Sequence, residues 1–285
     1  MQQTINQPEF WEEQWNQLNR AVTPFSGYGS ASTWNAMAAD YGRHHDSEHI
    51  DDRIDATLDR LETSGVVFEQ ATILDVGCGP GRFAAAFIRR GATVVAIDIS
   101  SNMIDRLRTE TDPEVLSHIM PVVADWKRLD LEVSGYKKSF DLVFANMTPA
   151  VTDPASFKKL MEASKKWCWF RGWAGRRDNP LLERLYREVS GKQTQPFSGN
   201  FICAWNLLCA IGYFPECSFE TMQWTHKKTL DECVKFHATF FSRGDETKER
   251  KIAEKIETSL AGMAVDGFIE NSVTGHTGNM VWSIA

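Results

Sequence analysis

The sequence has no excess of positive charge and no long apolar run, and these two absences exclude several classes of protein. Its 285 residues contain 31 lysines and arginines against 38 aspartates and glutamates, a net charge of −7. No general basic field is available to attract nucleic acid or an anionic membrane. The longest nearly apolar stretch, residues 201–214, is interrupted by Asn206 and Gly212 and is too short to cross a bilayer. We therefore expect neither a membrane nor a nucleic acid as partner.

Paired cysteines and a targeting segment are also missing. The six cysteines are scattered, and none belongs to a Cys-x-x-Cys pair. That spacing fits neither a zinc site nor a disulfide framework. The first ten residues have no basic leader and no apolar segment, so we expect no signal peptide. These features predict reduced thiols and a cytoplasmic protein.

Short apolar runs alternate with helical patterns from residue 71 onward. Strands are predicted at residues 71–76, 92–97, 119–123, 140–145 and 167–170. Continuous apolar strands separated by helices are typical of a parallel sheet with helices on both faces. Near the C-terminus we predict strands at 217–224 and 280–284. The fold class is therefore α/β, with a doubly wound, mostly parallel, seven-stranded sheet.

Helices are predicted before the first strand, between the fourth and fifth strands, and between the last two strands. Trp11, Trp15 and Leu18 share one helical face, and the spacing from Trp34 to Tyr41 predicts a second amphipathic helix. A third helix is predicted from the spacing of Ile50, Ile54, Leu58 and Leu61, and it should stop near Gly65. Asp153 and Pro154 are typical of a helix start, and so are Thr229 and Glu232, which form a capping-box pattern.

A glycine-rich loop follows the first predicted strand. Gly77, Gly79 and Gly81 lie between this strand and a helix, where glycines allow a ligand to approach the helix N-terminus. A dinucleotide-binding loop would need glycine at position 82, where Arg82 stands. This difference argues against a nicotinamide dehydrogenase. Asp75, just before the loop, suits a ligand that carries an ammonium group.

Two further acidic residues follow the next two strands. Asp98 lies where a carboxylate binds ribose hydroxyls in nucleotide-binding folds. Asp125 could accept a hydrogen bond from an adenine amino group, with Ile99 and Met103 as an apolar bed. Asp75, Asp98 and Asp125 thus stand at the carboxyl ends of three successive strands, where open α/β sheets bind ligands.

Residues 66–170 resemble the class I S-adenosylmethionine-dependent methyltransferases, which have a Rossmann-like fold. The resemblance is carried by ILDVGCGPG (73–81), VVAIDIS (94–100) with Met103, VVADW (122–126) and FDLVFANM (140–147). It implies S-adenosylmethionine as cofactor, with the glycines around the methionine portion, Asp98 on the ribose, and Asp125 with Trp126 at the adenine. Asn146 and Met147 would face the methyl group and the acceptor. The cofactor-binding residues implied are Trp34, Tyr41, Asp75, Gly77, Cys78, Gly79, Gly81, Asp98, Ile99, Met103, Asp125, Trp126, Asn146 and Met147.

The resemblance also implies a domain organisation and a substrate class. Residues 1–65 would form a helical lid, and residues 66–285 the methyltransferase domain with a helical insertion at about 225–263. Amino-methyltransferases of nucleic-acid bases have paired prolines and an aromatic residue after Asn146, and this chain has Met147, Thr148 and Pro149 instead. We therefore expect a small-molecule acceptor, methylated by in-line displacement. The alternatives are a methyltransferase acting on nucleic acid or protein, and a cofactor-binding module without catalysis.

The sequence does not identify a catalytic residue or the acceptor atom. His44 and His45 are candidates for a general base, although residues 44–49 also suit a solvated hinge, and we expect no metal site there. Residues 171–177 include three arginines that could bind an acidic acceptor, but a solvated basic turn is the favoured interpretation. An apolar acceptor pocket is expected among Trp169, Trp173, Trp205 and Trp224.

Overall fold

Seven strands form one sheet in the part of the chain that the structure describes. The structure is a computed structural model, and it describes residues 4–22, 27–39, 41–42, 50–191, 200–243 and 245–284. The strands are β1 Thr72–Val76, β2 Thr93–Asp98, β3 Ile119–Val123, β4 Phe140–Asn146, β5 Ser164–Asp178, β6 Glu216–Thr229 and β7 Phe268–Ser283. Their order in the sheet is β3-β2-β1-β4-β5-β7-β6. The first five run parallel, and β7 is antiparallel to both β5 and β6.

This arrangement confirms the predicted doubly wound α/β fold. Strand order reverses between β1 and β4, and such a reversal creates a crevice at the carboxyl ends of the strands. The described helices are α1 Pro8–Val22, α2 Ala31–Ala38, α3 Ile50–Thr63, α4 Arg82–Arg89, α5 Ser101–Glu110, α6 Pro113–Leu116, α7 Pro154–Ala163, α8 Pro180–Ser190, α9 Asn200–Ala210, α10 Leu230–Ser242 and α11 Glu246–Leu260.

The two predicted helix starts are present in the structure. Asp153 accepts a hydrogen bond from the Ser156 backbone, and Pro154 occupies the first turn of α7. Thr229 and Glu232 form a reciprocal capping box at the start of α10. In both cases a side chain satisfies backbone N–H groups that the helix itself leaves without partners.

Both faces of the sheet are covered by apolar clusters. On one face, Phe157 of α7 and Phe201 of α9 pack against Phe170 of β5. On the other face, Leu58 of α3 and Phe87 of α4 are fully buried in a second cluster. Helices on both faces explain why the parallel strands read as nearly continuous apolar runs.

The three N-terminal helices contact different parts of the domain. In α1, Trp15 is fully buried, and its Nε1 donates to Asn200 Oδ1 of α9 at 3.0 Å. Helix α2 contacts α5 and α10, whereas α3 buries Leu58 and Leu61 against the sheet. In the described part of residues 1–65, the helices α1, α2 and α3 therefore dock separately, and the lid predicted for residues 1–65 stays a prediction.

The last three strands are longer than predicted. β5 continues to Asp178, β6 continues to Thr229, and β7 begins at Phe268, where strands of four to eight residues were expected. A third apolar cluster joins the extended half of β7 to the helices beside it, with Leu185 of α8, Ile256 of α11 and Ile269 of β7 buried together. The helical insertion is thus the pair α10 and α11 between β6 and β7.

None of the helices in the described ranges combines the length and the apolar composition that a bilayer crossing requires.

Candidate active site

The glycine loop is a tight turn between β1 and α4. Gly77 and Cys78 donate their backbone N–H groups to Ile97 O at 2.7 and 3.0 Å, which ties the loop to β2. Gly77, Gly79 and Gly81 have φ angles of +72°, +55° and +82°, a region that side chains with a Cβ rarely adopt. The structure therefore confirms a local reason for glycine at each of these positions.

The loop is closed on two sides and open on one. A Cβ at Gly77 would lie 1.9 Å from Thr148 Oγ1, and one at Gly81 would lie 2.6 Å from Leu107 Cγ. At Gly79, the nearest heavy atom would be Cε1 of Tyr41, at 3.9 Å. The Cβ position of Gly79 is therefore free of close contacts, and the Tyr41 ring lies just beyond it.

Asp98 joins this loop to the start of α5. Its Oδ2 accepts from Gly79 N at 2.9 Å, and its Oδ1 accepts from Ser100 N at 2.8 Å. Burial raises the pKa of Asp98, and the backbone hydrogen bonds oppose that shift. A carboxylate has about four lone-pair sites, so both oxygens can still accept hydrogen bonds from a ligand.

Asp75 is a buried carboxyl group next to the loop. The residue is 3% exposed, and its Oδ2 has no hydrogen-bond partner among the described residues. Burial, with the negative charge of Asp98 as a second cause, raises the pKa of Asp75 to about 8. A cationic group beside Asp75 would favour its ionised form, so this side chain suits a ligand with an ammonium group.

Helix α2 is fastened to the first turn of α5 by Asn35. Ser100 Oγ donates to Asn35 Oδ1 at 2.7 Å, and Asn102 Nδ2 donates to Asn35 O at 3.1 Å. Ser100 also accepts from Met103 N and thereby caps α5. The predictions from sequence missed Asn35 and Ser100 because their role depends on how α2 docks.

Tyr41 lies just beyond the end of α2. Arg106 of α5 holds this segment, because its Nη1 donates to Ala38 O at 2.5 Å and to Tyr41 O at 2.9 Å. The Trp34 ring packs edge-on against Tyr41, with centroids 5.9 Å apart. Burial, with Asp98 next in importance, raises the pKa of Tyr41. The structure thus brings Tyr41 to the glycine loop and places Trp34 behind it.

The four residues expected around an adenine differ in their burial and in their hydrogen bonds. Ile99 is half-buried after β2, and Met103 is 1% exposed inside α5. Asp125 accepts from Lys127 N at 3.0 Å and keeps a partly exposed side chain. Trp126 differs from the expectation, because its ring is 2% exposed and its Nε1 donates to Ser156 O at 3.0 Å. That side chain packs in the core, so only its backbone can face an adenine.

Asn146 and Met147 lie at the end of β4. Asn146 Oδ1 accepts from Trp169 Nε1 at 3.4 Å, and Met147 adopts a φ of +52°. Met147 N donates to Arg171 O at 2.9 Å, which joins the ends of β4 and β5. Thr148, which the predictions missed, then packs against Gly77.

The remaining residues considered from the sequence are histidines and cysteines. His44 and His45 lie outside the described residues. His237 is buried, its Nδ1 is 2.8 Å from Cys233 O, and burial lowers its pKa to about 4, as expected of a core histidine. All six cysteines are free, and burial raises the pKa of Cys78 well above its usual range, so this thiol stays protonated.

The favoured interpretation of residues 171–177 as a solvated basic turn is wrong. These residues belong to β5, and Arg171 is 6% exposed. Its Nη2 lies 2.7 Å from Glu220 Oε2 on β6. Only two of the four tryptophans expected to share a pocket lie together, because Trp173 packs on Trp224. Trp169 is buried against Phe144, and Trp205 is 37% exposed on α9.

Comparison with known proteins agrees with this geometry. Residues 73–168 match the family model described as "Methyltransferase domain". An uncharacterized protein of Haemophilus influenzae is 30% identical over 137 residues, covering 47% of this chain and 49% of that protein. Magnesium-protoporphyrin O-methyltransferase of Rhodobacter capsulatus is 40% identical over 53 residues, covering 19% of this chain and 24% of the enzyme. This chain therefore spans about half, or less, of these curated relatives.

Among solved structures, magnesium protoporphyrin IX methyltransferase of Synechocystis, with bound S-adenosylhomocysteine, is similar at 17% identity and a TM-score of 0.45. The alignment covers 60% of this chain and 75% of that one. Residues 73–168 thus match a methyltransferase domain. The strand order places this segment in a doubly wound α/β sheet.

Proposed function

We propose that this domain binds S-adenosylmethionine and transfers its methyl group to a small-molecule acceptor. The observation that carries the proposal is the placement of Asp75 and Asp98 on either side of the open glycine loop. Asp75 has a buried oxygen without a described partner, and Asp98 has lone pairs left beyond its bonds to Gly79 and Ser100. One carboxylate suits the ammonium group of the cofactor, and the other suits its ribose hydroxyls.

The remaining residues fit the same group. The backbone of Gly79 has no close neighbour at its Cβ position, which suits a close approach of the methionine portion to the loop, with the Tyr41 ring alongside. Ile99 and Asp125 follow the next two strands, where the adenine would lie. When bound, the cofactor supplies an electrophilic methyl group on a sulfonium, whose positive charge disperses as the methyl group leaves.

The protein's part in such a transfer is positioning and exclusion of water. Tyr41, backed by the Trp34 ring, lies over the glycine loop, and Asn146 and Met147 would form the edge nearest to an acceptor. Holding two reactants in line can supply effective molarities of roughly 10⁵–10⁸ M, so no protein nucleophile is needed. A small acceptor is supported by the net charge of −7 and by the aromatic face that β5 and β6 present beyond the site.

Calorimetry with S-adenosylhomocysteine tests the cofactor assignment. We expect micromolar binding and a higher melting temperature, because a ligand that binds only the folded state stabilises it. NAD, which has a ribose and an adenine but no amino-acid portion, should produce neither effect. Titrations that give no heat with S-adenosylhomocysteine would contradict the proposal.

The same titration reports on Asp75. With a pKa of about 8, Asp75 is mostly protonated at pH 7, and a bound ammonium group favours the ionised form. Binding should therefore release up to one proton, and the affinity should rise as the pH increases from 6 to 8. Comparison of binding heats in buffers with different ionisation enthalpies measures this proton, and the Asp75→Asn variant should release none.

We also propose that α2 with Tyr41, rather than all of residues 1–65, closes over the cofactor. Side-chain hydrogen bonds from Ser100 and Arg106 hold α2 to α5, whereas α1 is anchored in the core by the fully buried Trp15. Binding of S-adenosylhomocysteine should slow hydrogen exchange in residues 31–38 and at Tyr41, because lid segments belong to the less stable parts of a protein. Exchange in α1 serves as an internal control. Equal slowing in both helices would contradict a separate α2 lid.

A further inference from the structure

The long strands continue past the edge where the cofactor residues lie. Asn146 at the end of β4 pairs with Arg171, and β5 then runs on to Asp178. Side chains alternate between the two faces of a strand, so Arg171 and Trp173 share one face. The ring of Trp173 packs against Trp224 of β6 on this face, with centroids 5.8 Å apart. This aromatic pair therefore stands beside the proposed methyl-transfer site.

Arg171 uses only part of its hydrogen-bonding capacity. Its side chain is 7% exposed, and its hydrogen bonds to described residues all leave from Nη2. These bonds reach Glu220 Oε2 at 2.7 Å, Thr277 Oγ1 at 3.1 Å and Met222 Sδ at 3.6 Å. Nε is buried without a partner among the described residues. Buried polar atoms in folded proteins nearly always have a partner, so this one requires an explanation.

The charge of Arg171 is only partly balanced. Glu220 is its ion-pair partner, but 47% of the Glu220 side chain is exposed, so solvent weakens its influence. Burial lowers the pKa of Arg171, Glu220 opposes that shift, and the positive charge of Arg53 on α3 adds to it. The positive charges of Arg171 and Arg53 together favour an additional anion beside the buried Arg171 side chain.

The aromatic pair beside Arg171 is partly exposed and is fitted into the sheet by a glycine. Trp173 and Trp224 are half-buried. A Cβ at Gly275 of β7 would lie 2.6 Å from Trp173 Cζ3, so glycine at that position makes room for the indole. Arg177 Cζ lies over the Trp173 ring, 5.5 Å from its centroid. Arg171 and Trp173 are alternate residues of β5, so their Cα atoms are about 6.6 Å apart, and a planar apolar body against the exposed part of the indoles would lie next to the guanidinium.

We propose that the methyl acceptor is an aromatic carboxylate, whose ring packs against Trp173 and Trp224 and whose carboxylate binds Arg171. This inference rests on the proposed function and adds the substrate class. A singly charged carboxylate fits better than a doubly charged phosphate, because Glu220 already occupies one side of the guanidinium and would repel the second charge.

Calorimetry on the full chain, saturated with S-adenosylhomocysteine, tests this inference with three probes. We expect 2-naphthoate to bind at least tenfold more tightly than neutral 2-naphthamide, and more tightly than 2-naphthyl phosphate. Arg171→Gln should remove the preference for the acid, and Arg171→Lys should restore part of it. Trp173→Leu should weaken the acid and the amide alike. Arg89→Gln, at an exposed arginine of α4, is the matched control.

The outcomes separate the two proposals. Equal affinity for naphthoate and naphthamide in the unchanged protein, or no binding of either, overturns the inference without need of any variant. Tighter binding of the phosphate would overturn the assignment to a carboxylate. A tenfold preference that survives in Arg171→Gln would show that Arg171 has a structural role only. The affinity of each variant for S-adenosylhomocysteine reports whether that variant is folded. If the unchanged protein did not bind S-adenosylhomocysteine, the proposed function would be contradicted instead.

Discussion

Asp98→Asn should weaken S-adenosylhomocysteine binding by about 1–3 kcal/mol, or roughly 5- to 150-fold in Kd. The amide has the shape of the carboxylate but carries no charge, and one of its ends is a donor. Both carboxylate oxygens now accept backbone N–H groups, from Gly79 at 2.9 Å and Ser100 at 2.8 Å. The amide group must therefore face one of these donors, which disturbs the loop as well as the ribose contact. Calorimetry measures the change.

The matched control for this variant is Asp105→Asn on α5. Asp105 is 66% exposed and forms a surface ion pair with Arg108 at 3.1 Å. Surface ion pairs contribute little to stability, so this control should bind S-adenosylhomocysteine as the unchanged protein does. If Asp98→Asn also retained that affinity, the ribose assignment would be wrong.

The central sheet could be predicted because the chemistry that forms it is local. Leu74 and Val143 are fully buried between helices on both faces, and such positions read as apolar runs in any window of the sequence. The acidic site residues followed from the same pattern. Asp75 and Asp98 were recognisable because each ends an apolar strand, and parallel strands bring their carboxyl ends to one edge.

The extended halves of β5, β6 and β7 were missed because their signal is weaker. Residues 225–229 of β6 read Thr-His-Lys-Lys-Thr, which resembles a loop more than a strand. This segment is nevertheless a strand, because β7 pairs with it along its whole length and α10 and α11 cover only one face. The alternation of buried Ile269 and Val273 with exposed neighbours was the available signal.

Contacts between distant segments could not be predicted from sequence position. Trp126 follows Asp125 directly, yet neighbouring side chains at a strand end point in different directions, and the indole enters the core beneath Lys159. Asn35 is one polar residue on a short helix, and its importance arises only when α2 docks on α5. Arg171 was placed in a turn because the strand before it ended too early in the prediction.

Gly77→Ala should be among the most damaging single substitutions in the domain. The new Cβ would lie 1.9 Å from Thr148 Oγ1 and 2.7 Å from Thr148 Cβ, and the backbone φ of +72° is itself unfavourable for alanine. Thr148 cannot easily turn away, because it is branched at Cβ and its Oγ1 accepts from Ala150 N at 3.1 Å. The glycine loop must therefore shift, and we expect S-adenosylhomocysteine binding to fall together with stability.

Gly135→Ala separates backbone strain from the steric clash. Gly135 has the same φ of +72°, but a Cβ there would meet no heavy atom within 4 Å. Both variants carry the backbone strain of about 1–2 kcal/mol, whereas only Gly77→Ala adds a clash in a packed site, which costs about 1–3 kcal/mol more. Urea unfolding should show this difference. Equal losses of unfolding free energy would mean that Thr148 moves aside freely, and the close packing of Gly77 against Thr148 would then have no role in shaping the cofactor loop.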